Sequence, residues 1–270
     1  LYQEAMLKME ASDVGPDDRA AFYATFIQSM TAREGWELQA LTALSKLPDY
    51  EENQYGPRRW RRYPPYGSDR GAPVDEKGEP VFHQRPESWA AAKSDGERFR
   101  WLLAQQAKQS PKHALSADMT FARWLRSEFD VQTIAQYWRA PEDDDNARQD
   151  GLLTLHTLKE NETTARLATG VKRFTLPDEF NFIAIVERGC KSDGGLGLAY
   201  GAVEEFADIF RNRRQYERAA AIYREALERL GAQVDNQLKM SWQNQLDQIV
   251  KNWGRFDGST TQVPGTGAKL

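Results

Sequence analysis

Apolar residues return every three or four positions through most of this chain, and that spacing constrains its fold more than any other feature. A period near 3.6 gathers such residues on one side of an α-helix, so each stretch must bury its stripe against a neighbour. Phe22, Phe26 and Met30 repeat in this way. Trp36, Ala40, Leu44 and Leu47 do so again after Gly35, and Pro48 stops the run. The spacing predicts a helical hairpin over 17–47. Helix is expected again from near Glu87, with Trp89, Phe99, Leu102 and Leu103 on its apolar side. After Pro111 the residues Met119, Ala122, Leu125 and Phe129 predict another.

The last third is the most regular. Thr175, Pro177 and Asp178 lead into EFNFIAIVERG, a helix expected to start with Pro177 in its first turn and to end at Gly189. Two helices are expected over 196–212 and 215–230, closed by Gly231. A final helix over 235–253 would carry Leu238, Trp242, Leu246, Ile249 and Trp253 on one face, with Gly254 at its end. Between these regular parts LLTLHTL (152–158) alternates and reads as extended, whereas ENETTARLA before Gly170 reads as one or two helical turns. VQTIAQYW is a short amphipathic piece, and PEDDDNARQDG is a surface loop. Residues 49–86 are dense in Pro, Gly, Tyr and Arg and lack helical period. A loop of that length inside a compact domain usually serves a function or packs on a neighbour. The expected organisation is therefore an N-terminal helical hairpin over 1–48, a long loop over 49–86, a helical domain over 87–254 and a linker over 255–270. The fold class is all-α.

Composition narrows the function classes. The 270 residues are 40% hydrophobic and include 8 Trp, 10 Tyr and 12 Phe, enough to build a core. The formal net charge of −4 argues against a general nucleic-acid binder, which should be basic. No apolar run approaches the roughly 20 residues that span a bilayer. The chain begins at Leu1 and ends in STTQVPGTGAKL, and both ends read as cuts in a longer protein.

Residue types that carry chemistry are sparse and scattered. Cys190 is the sole cysteine, so neither an internal disulfide nor a cysteine-based zinc site can form. At a helix C-terminus it stands at the wrong dipole end to favour a thiolate. His83, His113 and His156 fall in different elements, which argues against a metal site built from them. The contiguous acids Glu142 to Asp145 lack the spacing of a calcium loop. SDGGLGLAYG lacks the Gly-Lys-Ser/Thr ending of a phosphate loop. No cofactor and no metal are expected. The patch Arg58, Arg59, Trp60, Arg61, Arg62 and Tyr63 reads first as a loop packed on the helices or an interdomain contact, and it also has the composition of a protein-binding hot spot. The same mixture would also suit single-stranded nucleic acid, a reading the acidic total disfavours.

Tyr200–Gly231 resembles a tetratricopeptide repeat, a unit of two antiparallel helices about 34 residues long. Phe206, Ala207 and Phe210 match its first helix. Tyr216, Ala219, Tyr223 and Ala226 match its second, the alanines allowing close approach and the tyrosines filling space beside them. Gly231 stands where that repeat usually has proline. The resemblance implies stacked hairpins in a short, irregular α-solenoid. It also implies that Glu204, Asp208 and Arg211, on the other side of the first helix, line a concave binding face.

A longer resemblance rests on RGAPVDEKGEPVFH, AKSDGERFRW, LPDEFNFI, FRNRRQYERAA and LDQIVKNWGRF. These stretches are similar to the N-terminal helical region of large bacterial alpha-2-macroglobulin-like proteins of the planctomycete type. The resemblance covers about Leu41 to the C-terminus. It implies an exported protein, periplasmic or extracellular, that traps proteases through domains lying downstream. Cys190 sits in GCKSDGG, which is not the Cys-Gly-Glu-Gln thioester motif of such proteins, so none of their covalent chemistry transfers here. The expected role is a non-enzymatic scaffold or interaction module whose partners are other domains of the same chain. The alternative is a stand-alone tetratricopeptide-like adaptor that binds a peptide or partner protein.

Overall fold

The computed structural model of the chain describes residues 2–31, 71–131, 154–191 and 196–251. It is mostly helical, with eight α-helices and one two-stranded sheet among the described residues. The chain divides into two compact units, Leu1–Gln215 and Tyr216–Leu270, so the division falls inside the 87–254 stretch.

The first unit opens with α1 (Tyr2–Glu10) and α2 (Pro16–Thr31). Arg19 stitches the turn between them, donating from Nε to Val14 O at 2.9 Å and from Nη2 to Ser12 O at 2.8 Å. Helix α2 buries Ala20, Tyr23, Phe26 and Ile27. The expected partner helix of this hairpin, with Trp36 to Leu47, lies outside the described residues. Most of the 49–86 loop does too, but its last part is ordered and packed. Ala72 joins the end of the sheet through Ala72 N–H to Arg166 O and Ala168 N–H to Ala72 O, both 2.8 Å.

Helix α3 (Asp95–Ala107) begins eight residues later than the apolar pattern suggested. Ser94 is its N-cap. The Ser94 hydroxyl accepts from Glu97 N–H at 3.2 Å, and Glu97 Oε2 reaches back to Lys93 N–H at 2.6 Å. Residues 87–93 form turns instead, because these caps place the first helical residue at Asp95. Helix α4 (Pro111–Phe129) is capped by Ser110 and has Pro111 at its first position. It buries Met119, Phe121, Ala122, Trp124, Leu125 and Phe129, close to the predicted stripe.

The all-α expectation fails at 162–175. There β1 (Glu162–Leu167) and β2 (Gly170–Thr175) form an antiparallel hairpin with Thr164 opposite Arg173 and Leu167 opposite Gly170. Local propensity accounts for the error. Adjacent β-branched Thr163 and Thr164 favour a strand, and Thr163 finds a use there: its hydroxyl donates to Phe129 O at 2.6 Å, satisfying a carbonyl at the end of α4. Leu155–Thr157, read as extended, is a single 3-10 turn.

Another 3-10 turn, Asp178–Phe180, replaces the start predicted for the next helix. Helix α5 (Phe182–Lys191) starts four residues later, with Asn181 Oδ1 accepting from Ile183 N–H at 3.1 Å and Ala184 N–H at 3.3 Å. Gly189 does not end this helix. A Cβ built there would lie 2.6 Å from Met119 Sδ, so the glycine admits α4. Helix α6 (Leu196–Asn212) completes the unit. The helices pack in chain order, α2 on α3, α3 on α4, α4 on α5 and α5 on α6.

The second unit is a helical pair, α7 (Tyr216–Leu230) against α8 (Asn236–Val250). Helix α7 buries Ala219, Ala220, Ile222, Tyr223, Ala226 and Leu230. In α8 only Trp242 is fully buried. Leu238, Leu246 and Ile249 are half-buried, and Trp253 lies outside the described residues.

Candidate functional site

The basic patch Arg58, Arg59, Trp60, Arg61, Arg62 and Tyr63 lies outside the described residues. Of the α6 trio, Asp208 accepts from Arg126 Nη2 of α4 and stands 3.5 Å from Asn212 Nδ2. Arg126 also donates from Nε to Asp130 at 2.9 Å, and Arg123 Nε donates to Glu205 at 2.7 Å. The charged side of α6 around Asp208 is therefore tied to α4. Glu204 and Arg211 are half-buried and also in contact with neighbours.

Six of the seven residues matched to the repeat are buried: Phe206, Ala207 and Phe210 on α6, and Ala219, Tyr223 and Ala226 on α7. Tyr216 is not, being 53% exposed. It is the first residue of its helix, and side chains there lean past the helix end with no preceding turn to rest on.

The three histidines keep separate company. His113 Nδ1 lies 2.9 Å from Ser110 Oγ, and its Nε2 is 3.5 Å from Asp17. His156 occupies the isolated 3-10 turn. Among the described residues no group of three or more His, Cys, Asp or Glu is placed to hold a metal ion, and no helix is long and apolar enough to cross a membrane.

A gathering of buried polar groups lies where residues 82–94, α3 and α4 meet, and of these only His83 was weighed from the sequence, as a metal ligand. The Arg100 guanidinium is centred 3.9 Å from the Phe121 ring and 5.2 Å from that of Phe180. Its Nη2 donates to Glu179, and its Nε makes no hydrogen bond. Burial lowers its pKa, opposed by Glu179 and Asp118. Asp118 in turn lies 4.0 Å from Arg188 of α5. Arg100 thus ties α3 to α4 and to the turn before α5. The sequence does carry a trace of it. FRWLLA sets a charge inside an apolar run, and α3 buries both sides of that run: Phe99, Arg100, Trp101, Leu102 and Leu103.

His83 sits beside this pin, 5% exposed. Its Nδ1 is 3.3 Å from Ser94 Oγ, its ring centre is 6.2 Å from that of Trp124, and its Nε2 has no partner. Burial lowers its pKa to about 4. Glu97 opposes that shift and Arg100 adds to it. The site therefore holds a neutral imidazole.

Arg213, completely buried, is a second pin. Its Nη1 donates to Lys159 O at 3.1 Å, while Gln215 Nε2 donates to Leu158 O at 2.7 Å. Together they hold the approach to β1 against the end of α6. Burial lowers the Arg213 pKa to about 10, opposed by Asp130, Glu160 and Glu162. On α4, burial alone raises the Glu128 carboxyl to about 7.

These groups brace elements against one another. Each buried arginine joins segments distant in the chain, and the Ser94 hydroxyl beside His83 serves as the N-cap of α3. Comparison with family models, with curated proteins and with solved structures finds no match to this chain.

Proposed function

We propose that this chain is a non-enzymatic helical scaffold, the N-terminal module of a large exported alpha-2-macroglobulin-like protein that traps proteases. The observation that carries the scaffold reading is how the buried cations are used. Arg100 braces α3, α4 and the 178–180 turn, and Arg213 braces α6 and the approach to β1. Arg126, half-buried, likewise links α4 to α6. Each of these contacts fixes one segment against another distant in the chain, which suits a scaffold. The family part of the reading rests on the stretches RGAPVDEKGEPVFH, LPDEFNFI and FRNRRQYERAA. In this role the helical units position downstream domains, and the tetratricopeptide-like helices offer them a docking side.

The test is made on the full gene product. It is expected to carry β-sandwich domains after residue 270 and to lower the cleavage of a protein substrate by a broad-specificity protease. The 1–270 chain alone should leave that protease unaffected. A full product without such domains overturns the family assignment, and turnover of any substrate by the 1–270 chain overturns the non-enzymatic reading.

A further inference from the structure

The contacts of His83 have a consequence for the segment that carries it. Residues 82–94 run as a strap across three helices. Phe82 packs between Phe129 and Phe180, with ring centres 5.4 and 4.9 Å away. Trp89 packs between Phe26 of α2 and Trp101 of α3, at 5.3 and 5.9 Å, with the Arg98 guanidinium 5.8 Å from its ring. His83 is the polar point of this strap. A Cβ on Gly96 would lie 2.2 Å from His83 Cδ2 and 2.3 Å from Nε2, so the ring rests directly on the first turn of α3.

All but one of the features of that seat disfavour a second proton on the ring. Ser94 Oγ accepts the Glu97 N–H and lies 3.3 Å from His83 Nδ1, where a neutral ring either accepts the Ser94 hydrogen or donates to its second lone pair. Nε2 has no partner. A doubly protonated ring carries a donor on both nitrogens, and the one on Nε2 finds no acceptor. The first turn of α3 presents backbone N–H groups and the positive end of the helix dipole. Arg100, one turn further along α3, adds a positive charge. The counterweight is Glu97, whose Oε2 is engaged by Lys93 N–H. On the strap itself, Arg85 bears on Arg100. On α4 the side chain against the ring is Trp124, which carries no charge.

We propose that residues 82–94 form a proton-operated clasp, closed on α3 and α4 while His83 is neutral and released when its imidazole is protonated. The neutral ring fills the hollow over Gly96 and caps the aromatic layer. The charged ring has water as its better solvent, and leaving takes Trp89 and Phe82 off their helices.

The size of the effect follows from linkage. With the docked ring at about 4 and a released one near 6.5, the opening equilibrium rises by at most tenfold per pH unit within that window, about 60-fold between pH 7 and 4.5. The experiment is amide hydrogen exchange on the whole chain between pH 7 and 4.5, corrected for the intrinsic rate, in the native protein and in His83→Gln. Protection at 82–94 and at Gly96 is expected to fall steeply with acid in the native protein, while α5 keeps its protection. In His83→Gln the strap should show no such dependence. An equal acid dependence in the variant, or none in the native protein, overturns the clasp. Should the variant not fold, the imidazole Cε1 resonance of His83 in the native protein decides. A titration far below 6.5 that tracks strap opening supports the clasp, and one near 6.5 with the strap closed overturns it.

Discussion

Two glycines inside helices are there for different neighbours, and their alanine variants should differ accordingly. At Gly96 a Cβ meets the His83 ring, a rigid group held by Ser94 and Trp124. At Gly189 it meets Met119 Sδ, near the end of a side chain with rotatable bonds. Alanine gains about 1 kcal/mol of helix propensity over glycine in a helix interior. Gly96→Ala should nevertheless destabilise the fold by about 1–3 kcal/mol through overpacking, whereas Gly189→Ala should lie near neutrality. Urea unfolding of the two variants checks the contrast. Two buried titrating groups also make opposite demands on pH. Glu128 has a raised folded pKa, so the unfolded chain loses its proton first, and the contribution of this group falls as pH rises from 4.5 to about 7. His83 has a depressed folded pKa, so its contribution is present above 6.5 and falls as pH drops towards about 4. Their slopes oppose one another between about 4.5 and 6.5. Relative to the native protein, Glu128→Gln should gain stability on going from pH 5 to pH 8, by on the order of 1–3 kcal/mol. Urea midpoints measured across that range decide it.

At the scale of elements, ends matter more than middles. Ser94 and Asp235 cap α3 and α8 with side-chain oxygens that accept from Glu97 and Leu238. Replacing either by alanine should cost about 1 kcal/mol, read in urea unfolding, with Asp235→Ala loosening amide exchange in α8 and leaving α3 unchanged. Thr163 serves the other end of a helix by donating to Phe129 O from inside the core. Thr163→Val keeps the shape and the strand preference but leaves that carbonyl unsatisfied, for an expected loss of about 1–3 kcal/mol in the same assay. Thr175→Val, on an exposed strand end, should change little. The helices were largely legible from apolar spacing because their stripes are continuous. Most of their starts were too, to within a residue, but those of α3 and α5 were not, since there the start depends on which oxygen captures the first N–H groups. SDGE before α3 is a capping signature in plain view, but Trp89 extended the apolar pattern past it. The first strand of the β-hairpin was read as helical turns because six residues give too short a sample of either period.

Over the whole molecule, the two units bury their apolar surface to different depths. The first holds Phe99, Leu102, Leu125, Phe129, Phe182 and Phe210 out of solvent, whereas α8 of the second contributes only Trp242. Amide exchange should therefore be slowest in α3, α4 and α5 and faster by orders of magnitude in α8. The candidate site was nearly illegible in the sequence. Arg100, His83, Ser94 and Glu179 span almost one hundred positions, and nothing in their spacing brings them together. What the sequence by itself determined is the helical character, most of the helix bodies, their buried stripes and the scarcity of reactive residue types, because these follow from local period and composition. What only the tertiary structure decided is where α3 and α5 begin, that a strand pair closes the end of α4, and which charges are buried. Those outcomes depend on the groups that desolvated donors and acceptors find across the chain, and such partners are chosen by packing in three dimensions.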